Sequence, residues 1–344
     1  MLNKNDERWL NRFARQKPTT EELILGIEKG DIVLVSQAIT LIESQLAAHQ
    51  VQAREIINYC LAQPRRALRI GITGTPGVGK STFIEAFGQV ILAAGHKIAI
   101  LAIDPSSQLT RGSILGDKTR MNQLAADKRV FIRPSPTGNS LGGVARTSRE
   151  TIAVCEAAGF GVVLVETVGV GQSETVVRSM VDFFLLLLLP NAGDELQGIK
   201  RGIMEMADLI FINKAEGEAA TKAKIAKSQC NNALHLFPPK ASNWTAKAMT
   251  GSALLPLGID EVWQTVGEFY ALMKENNFLQ TLQAEQNLFW FERAVQDELL
   301  RLFSSQTAVS TALEQARAAV EEGKISPFGA AADLVKLFLS QIGG

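Results

Sequence analysis

Between residues 66 and 275, short apolar runs alternate with longer stretches in which apolar residues recur every three or four positions. The runs at 68–73, 97–103, 129–132, 161–166, 182–189 and 208–212 have strand length, and each ends in a loop or helix signal. Residues 183–189 are apolar at every position, as a strand covered on both faces requires. This pattern predicts an α/β fold: a mostly parallel, doubly wound sheet with helices on both sides. In such sheets ligands sit at the C-terminal strand ends.

The flanks read as helical. In residues 1–64, Thr19 with Glu22 predicts a capping box and Gly30 a helix stop. A second amphipathic helix is expected from Asp31 to about Ala62, with a break allowed near His49. Trp9, Leu10 and Phe13 are read as a helix face packed on the main domain, with an exposed sticky face as the alternative. Residues 276–344 contain no glycine before Gly323 and carry helical periodicity over 278–303, 308–322 and 329–342. Their apolar stripes fit packing on the domain or a dimer seam. The expected organisation is an N-terminal helical region (1–64), a central domain (65–275) and a C-terminal helical extension (276–344).

The chemistry concentrates after the first strand. Gly74, Thr75, Pro76, Gly77, Val78, Gly79, Lys80 and Ser81 form a complete G-x-x-x-x-G-K-[ST] phosphate loop between a strand and a helix that includes Thr82. Glycines let the backbone curl and turn its N–H groups onto phosphate oxygens, and the helix N-terminus adds its positive dipole end. Lys80 is placed to bridge the β- and γ-phosphates, and Ser81 to offer its hydroxyl to Mg²⁺.

Other strand ends add candidates. Asp104 closes the second strand; it is read as a carboxylate reaching Mg²⁺, with a turn cap as the alternative. Asp117 is read as a metal or neighbouring carboxylate, or as part of a solvated loop. Residues 141–150 combine glycines and arginines and fit a mobile phosphate-facing segment or a loop into a helix. Glu166 closes the fourth strand at a Walker-B position, and Gly169 follows three residues later, as in a switch whose N–H meets the γ-phosphate. Gln172 is a weaker candidate for orienting water. After the sixth strand, Asn213, Lys214 and Glu216 approximate N-K-x-D, the guanine-reading motif, with Glu in place of Asp. Ser252, Ala253 and Leu254 are expected to offer a backbone N–H to the guanine carbonyl.

Composition narrows the partners. Formal net charge is zero, with 35 basic and 35 acidic residues, so nothing points to nucleic acid. The three cysteines are isolated, which indicates neither a disulfide framework nor a zinc site. The charged N-terminus lacks the apolar core of a signal peptide, and the longest apolar run is too short to span a bilayer. A cytoplasmic protein without membrane association is the expectation.

Several longer strings resemble one family. Asp104-Pro-Ser-Ser, Gly112-Ser-Ile-Leu-Gly-Asp-Lys-Thr-Arg-Met121, Arg133-Pro-Ser-Pro, Leu141-Gly-Gly-Val-Ala-Arg, Glu166-Thr-Val-Gly-Val-Gly-Gln-Ser-Glu174 and Asp194-Glu-Leu-Gln-Gly-Ile-Lys-Arg-Gly202 are similar to the MeaB/ArgK family of P-loop GTPases. The resemblance implies a SIMIBI-class GTPase that uses GTP/GDP and Mg²⁺. It implies a homodimer, joined in part by the C-terminal extension, that attends adenosylcobalamin-dependent methylmalonyl-CoA mutase, gating cofactor loading and protecting the enzyme. It places Lys80 and Ser81 at phosphate and Mg²⁺, and Asp104, Asp117 and Glu166 in the metal and switch shell. The segment from Asp194 to Lys200 becomes a partner switch. Glu216, where the family has Asp, and Gln108, Leu109 and Arg111 depart from its pattern. With no obvious general base, hydrolysis is expected to be slow without a partner. The alternatives are an ATP/GTP-dependent kinase linked to basic amino-acid transport, a metal-delivery GTPase of the same class, and a non-catalytic module with structural nucleotide. The metal-delivery reading asks for His-rich clusters, and the three histidines, His49, His96 and His235, lie far apart.

Overall fold

A computed structural model describes residues 18–44, 46–103, 121–134, 141–167, 173–191 and 201–342. Trp9, Leu10 and Phe13 lie outside these residues. Among the described residues, seven parallel strands form one sheet: β1 (Leu68–Gly74), β2 (Ile98–Ile103), β3 (Val130–Arg133), β4 (Val162–Thr167), β5 (Phe183–Leu188), β6 (Leu209–Ile212) and β7 (Lys247–Thr250). Their order is β3-β2-β4-β1-β5-β6-β7. This is the doubly wound α/β sheet that the apolar runs predict. β1 lies centrally, so the phosphate loop leaves the middle of the sheet.

The helices follow the same logic. α1 (Thr20–Lys29) starts at the expected capping box and stops at Gly30, whose φ is 68°. The expected single helix from Asp31 is two helices, α2 (Ile32–Ile42) and α3 (Ala47–Ala62). The break falls near Ser44, whose hydroxyl accepts from Leu46 N–H at 3.3 Å and contacts His49 Nδ1 at 2.7 Å. A serine that binds nearby groups in this way competes with helix continuation. α4 (Lys80–Ala93) follows the phosphate loop, α5 (Asn122–Ala126) precedes β3, and α6 (Leu141–Ala157) precedes β4. Residues 141–150 are therefore helical, not the glycine-loosened loop the sequence allowed. α7 (Ser173–Arg178), α8 (Arg201–Met206), α9 (Ala219–Leu234) and α10 (Ile259–Glu275) complete the crossovers around β5, β6 and β7.

One face of the sheet packs Phe83 and Phe87 of α4 and Phe269 of α10 against Phe183, Phe211 and Trp244. Phe83 lies 5.2 Å from Phe211, and Phe269 lies 5.0 Å from Phe183, ring centre to ring centre. These spacings suit offset and edge-to-face aromatic pairs. On the other face, Gly71 lets Phe184, Val177 and Val181 close in, since a Cβ there would meet each at 2.9 Å. The N-terminal helices cover the β3 edge. Arg133 binds the Glu43 carboxylate through Nε at 3.2 Å, and the hydroxyls of Ser36 (3.3 Å) and Thr40 (3.1 Å).

The chain divides after Gln283 into two compact units. In the second, α12 (Thr307–Glu321) and α13 (Pro327–Ile342) follow the end of the long helix α11 (Phe278–Ser305). Phe303 and Phe338 meet there at 5.3 Å, and Val309 is buried. Among the described residues, no helix is long and apolar enough to cross a membrane.

Candidate functional site

β1 ends at Gly74, whose backbone passes so close to Leu187 O that a Cβ there would meet that oxygen at 2.6 Å. The turn then folds back on itself, with Val78 N–H donating to Thr75 O at 3.2 Å and the Val78 side chain fully buried. Gly79 takes φ 92°, and a Cβ there would stand 3.0 Å from Asn213 Nδ2. That combination of left-handed backbone and close approach requires glycine. Lys80 opens α4 and its Nζ donates to Gly74 O at 2.8 Å, which lays the ammonium across the loop. Ser81 is half-buried in the same first turn, and Thr82 is exposed. Thr75 carries a buried hydroxyl with no hydrogen-bond partner. The helix N-terminus and the ammonium laid back across the loop supply the positive charge that an anion cradle needs.

The end of β6 holds this loop from the side. Asn213 is buried; its Nδ2 donates to Val78 O at 2.8 Å, and its Oδ1 accepts from Ala253 N–H at 2.9 Å. Lys214, at φ 58°, donates from Nζ to Gly77 O at 2.8 Å. Ala215 N–H donates to Gly251 O at 2.9 Å. The two residues 213 and 214 thus tie the phosphate loop to the 251–254 segment. Glu216 follows, half-buried, with Oε2 buried and without a partner. A buried carboxylate oxygen left unpaired is costly unless a ligand supplies the donor. A guanine edge supplies N1–H and the 2-amino group, so the residues present fit a guanine nucleotide.

Ser252, Ala253 and Leu254 divide the role assigned to them together. Ser252 N–H is engaged by Leu257 O at 2.9 Å, and Ala253 N–H by Asn213. Leu254, 71% exposed, is the one of the three left to offer its N–H to a base carbonyl. The Ser252 hydroxyl accepts from Leu255 N–H at 3.1 Å and closes the turn.

Glu166 sits at the end of β4 beside Ile72 of β1 and Ala102 of β2, and is buried. It shares the strand-end edge with the phosphate loop, as a Walker-B carboxylate must. Asp104, Asp117, Gly169, Gln172, Asp194 and Lys200 lie outside the described residues. Among the described residues, no group of three or more His, Cys, Asp or Glu could hold a metal ion. A Mg²⁺ that arrives on nucleotide phosphates takes only one or two protein ligands. Ser81 and Glu166 are the described residues of the right chemistry for it.

Glu85 carries a role that no local sequence pattern marks. Its Oε1 accepts from Gln123 N–H at 3.0 Å and Leu124 N–H at 3.1 Å, capping α5 against α4. Leu124 seats on Gly88, where a Cβ would meet it at 2.6 Å. A partner 38 residues away leaves no local signal.

Comparison with known proteins converges on one group. The profile of a family described as methylmalonyl Co-A mutase-associated GTPase MeaB matches residues 35–308. GTPase ArgK of Escherichia coli is 43% identical over 309 residues, 90% of this chain and 93% of the relative. The mitochondrial methylmalonic aciduria type A homolog of Mus musculus is 40% identical over 337 residues, 95% of this chain and 81% of the relative. The crystal structure of a LAO/AO transport system kinase superposes with a TM-score of 0.74 at 36% identity, covering 93% of this chain and 98% of that one.

Proposed function

The chain belongs to the MeaB family of P-loop GTPases, and from that premise we propose that it binds and hydrolyses GTP to signal to an adenosylcobalamin-dependent methylmalonyl-CoA mutase, or a related acyl-CoA mutase. Its nucleotide state would gate cofactor loading into the mutase and protect it. The relatives' names, which speak of the mutase and of methylmalonic aciduria, support this partner. The observation that carries the nucleotide reading is the Asn213 bridge between phosphate loop and 253, with the unpartnered Glu216 carboxylate beside it.

In this reading Lys80, the α4 N-terminus and the loop N–H groups neutralise and orient the phosphates for in-line attack by water. Ser81 and Glu166, with Asp104 and Asp117, would hold Mg²⁺, which supplies further charge neutralisation when bound. Gly169 would present its N–H to the γ-phosphate. Asn213 and Lys214 place the base edge, Glu216 reads it, and Leu254 offers the carbonyl donor. No described residue stands out as a general base, so turnover is slow until a partner completes the site. Asp194 to Lys200 is the segment proposed to meet the mutase, and residues 276–344 the extension that joins two copies.

Two experiments test this. A pull-down against purified adenosylcobalamin mutases, with GDP and with a non-hydrolysable GTP analogue, is expected to recover a mutase in a nucleotide-dependent way; recovery under neither nucleotide would sink the chaperone role. Glu216→Ala is expected to weaken GTP by about 1–3 kcal/mol, the cost of an unmade buried hydrogen bond, and ATP far less. Equal loss for both nucleotides, measured by competition binding, would refute the guanine assignment. The name of the matched crystal structure favours a second reading, a kinase of a transport system. Phosphate appearing on a purified binding protein, not in water, would support it.

A further inference from the structure

β1 and β4 pair in register from Leu68 with Val162 up to Ile72 with Glu166. One residue further on, each strand is also held by its neighbour on the far side. Thr73 registers with Leu186 of β5, and Thr167 with Ile103 of β2. At this level a side-chain bond is added to the backbone ladder between β1 and β4. Thr167 Oγ1 donates to Thr73 Oγ1 at 2.8 Å, and both residues are fully buried.

The position asks for no hydroxyl on packing grounds. Thr167 lies on the same face of β4 as Val163 and Val165, both fully buried, so valine would satisfy the pattern. What threonine changes is distance. Two hydroxyl oxygens approach to 2.8 Å, whereas two methyl carbons rest at about 3.5–4.0 Å. The pair therefore makes a contact roughly 1 Å shorter than an apolar one between the ends of β1 and β4, and an apolar pair would push those ends apart. Those ends carry the two arms of the site. Gly74, which follows Thr73, receives Lys80 Nζ and begins the phosphate loop. Glu166 immediately precedes Thr167.

We propose that the Thr73–Thr167 hydroxyl pair is a positioning element that sets the gap between the phosphate loop and Glu166, and with it the preference for a triphosphate over a diphosphate. The inference rests on the guanine-nucleotide reading above. The diphosphate is gripped by the loop, Lys80 and the base contacts, which lie on the β1 and β6 side. The γ-phosphate and its Mg²⁺ must in addition meet the β4 arm. Mg²⁺ demands near-octahedral geometry at about 2.0–2.1 Å, so an error of this size at Glu166 is not absorbed.

The test is equilibrium binding of a fluorescent GDP and a fluorescent non-hydrolysable GTP analogue, with Mg²⁺, to the full chain. The proteins are wild type, Thr73→Val, Thr167→Val, the double variant and Thr167→Ser. Each valine variant is expected to bind the GTP analogue about tenfold more weakly, about 1.4 kcal/mol, while GDP stays within about twofold. Thr167→Ser keeps the donor and is expected to behave as wild type. The double variant is expected to regain thermal stability, since neither hydroxyl is left unpaired, yet to retain the selective loss. Equal loss of both nucleotides, or recovery of selectivity in step with stability in the double variant, would show a merely structural role and overturn the inference alone. Wild-type protein that binds neither nucleotide would overturn both the inference and the reading beneath it.

Discussion

Lys80→Ala is expected to lower GTP hydrolysis by about 10²–10³-fold, the usual loss when one preorganised donor to developing negative charge is removed. The ammonium lies 2.8 Å from Gly74 O, so it is held over the loop before any phosphate arrives. Alanine removes the charge and also frees the Gly74 carbonyl. The side chain is only half-buried and belongs to no core contact, so the thermal midpoint should stay near wild type. Lys80→Arg should not rescue, because a planar guanidinium presents its donors in a wider, rigid fork than a compact ammonium. Phosphate release in single-turnover conditions separates the cases. A Lys80→Ala protein that still releases phosphate at the wild-type rate would remove the phosphate loop from the mechanism.

Arg69→Met is expected to cost about 3–5 kcal/mol of stability, the penalty for stranding one charge of a buried pair. Arg69 sits at the start of β1, and its Nε and Nη2 each reach a Glu156 carboxylate oxygen at 2.8 Å. Side-chain exposures of 8% and 5% take the pair out of the surface class, whose members contribute little. Burial acts to lower the Arg69 guanidinium, but the hydrogen bond and charge of Glu156 outweigh it and hold its pKa above the ordinary value. The surroundings are polar as well. The one Tyr270 hydroxyl proton is shared between Arg69 O at 3.2 Å and Asp182 Oδ2 at 3.1 Å, and Gln283 donates to Asp182 at 3.3 Å. Burial pushes the Asp182 carboxyl up, with Arg69 and these donors opposing it. Removing Arg69 alone leaves Glu156 one hydrogen bond, from Ala67 N–H at 3.1 Å, and the charge of nearby Arg149. The double variant Arg69→Met with Glu156→Leu should recover most of the loss, since apolar replacement of both partners is often neutral. Urea unfolding measures both. Nucleotide affinity should change little, because the pair lies at the opposite end of β1 from the phosphate loop. A single variant as stable as wild type would show that no buried charge is stranded when Arg69 is removed.

The same contrast between local and distant partners explains what could be read in advance. Six strands were legible to within a residue or two, because each is an apolar run whose faces are both covered. β7 was not. Lys247–Thr250 is an edge strand with a mixed burial pattern, and it lacks the run that marks the others. The break between α2 and α3 was expected near His49 and falls near Ser44, because Ser44 binds local groups that no periodicity reveals. The helix at 141–150 was hidden by its glycines.

The candidate site divides along the same line. The phosphate loop was legible as eight consecutive residues, since tight turning and phosphate approach demand glycine and a charged donor at fixed local spacing. The strand-end positions of Glu166 and Asn213 were legible because each closes an apolar run. Their partners were not. Asn213 meets Val78 across 135 residues and Ala253 across 40, and Thr167 meets Thr73 across 94. Short-range chemistry settles where the chain turns, caps and extends, because those choices depend on neighbours within a few residues. Only the strand order, which sets β4 on one side of β1 and β5 and β6 on the other, decides that Leu254 keeps a free N–H, that Glu216 keeps an unpaired oxygen, and that two threonine hydroxyls meet. Hydrogen bonds act over about 3 Å, so they can be assigned only once the fold has brought distant residues that close.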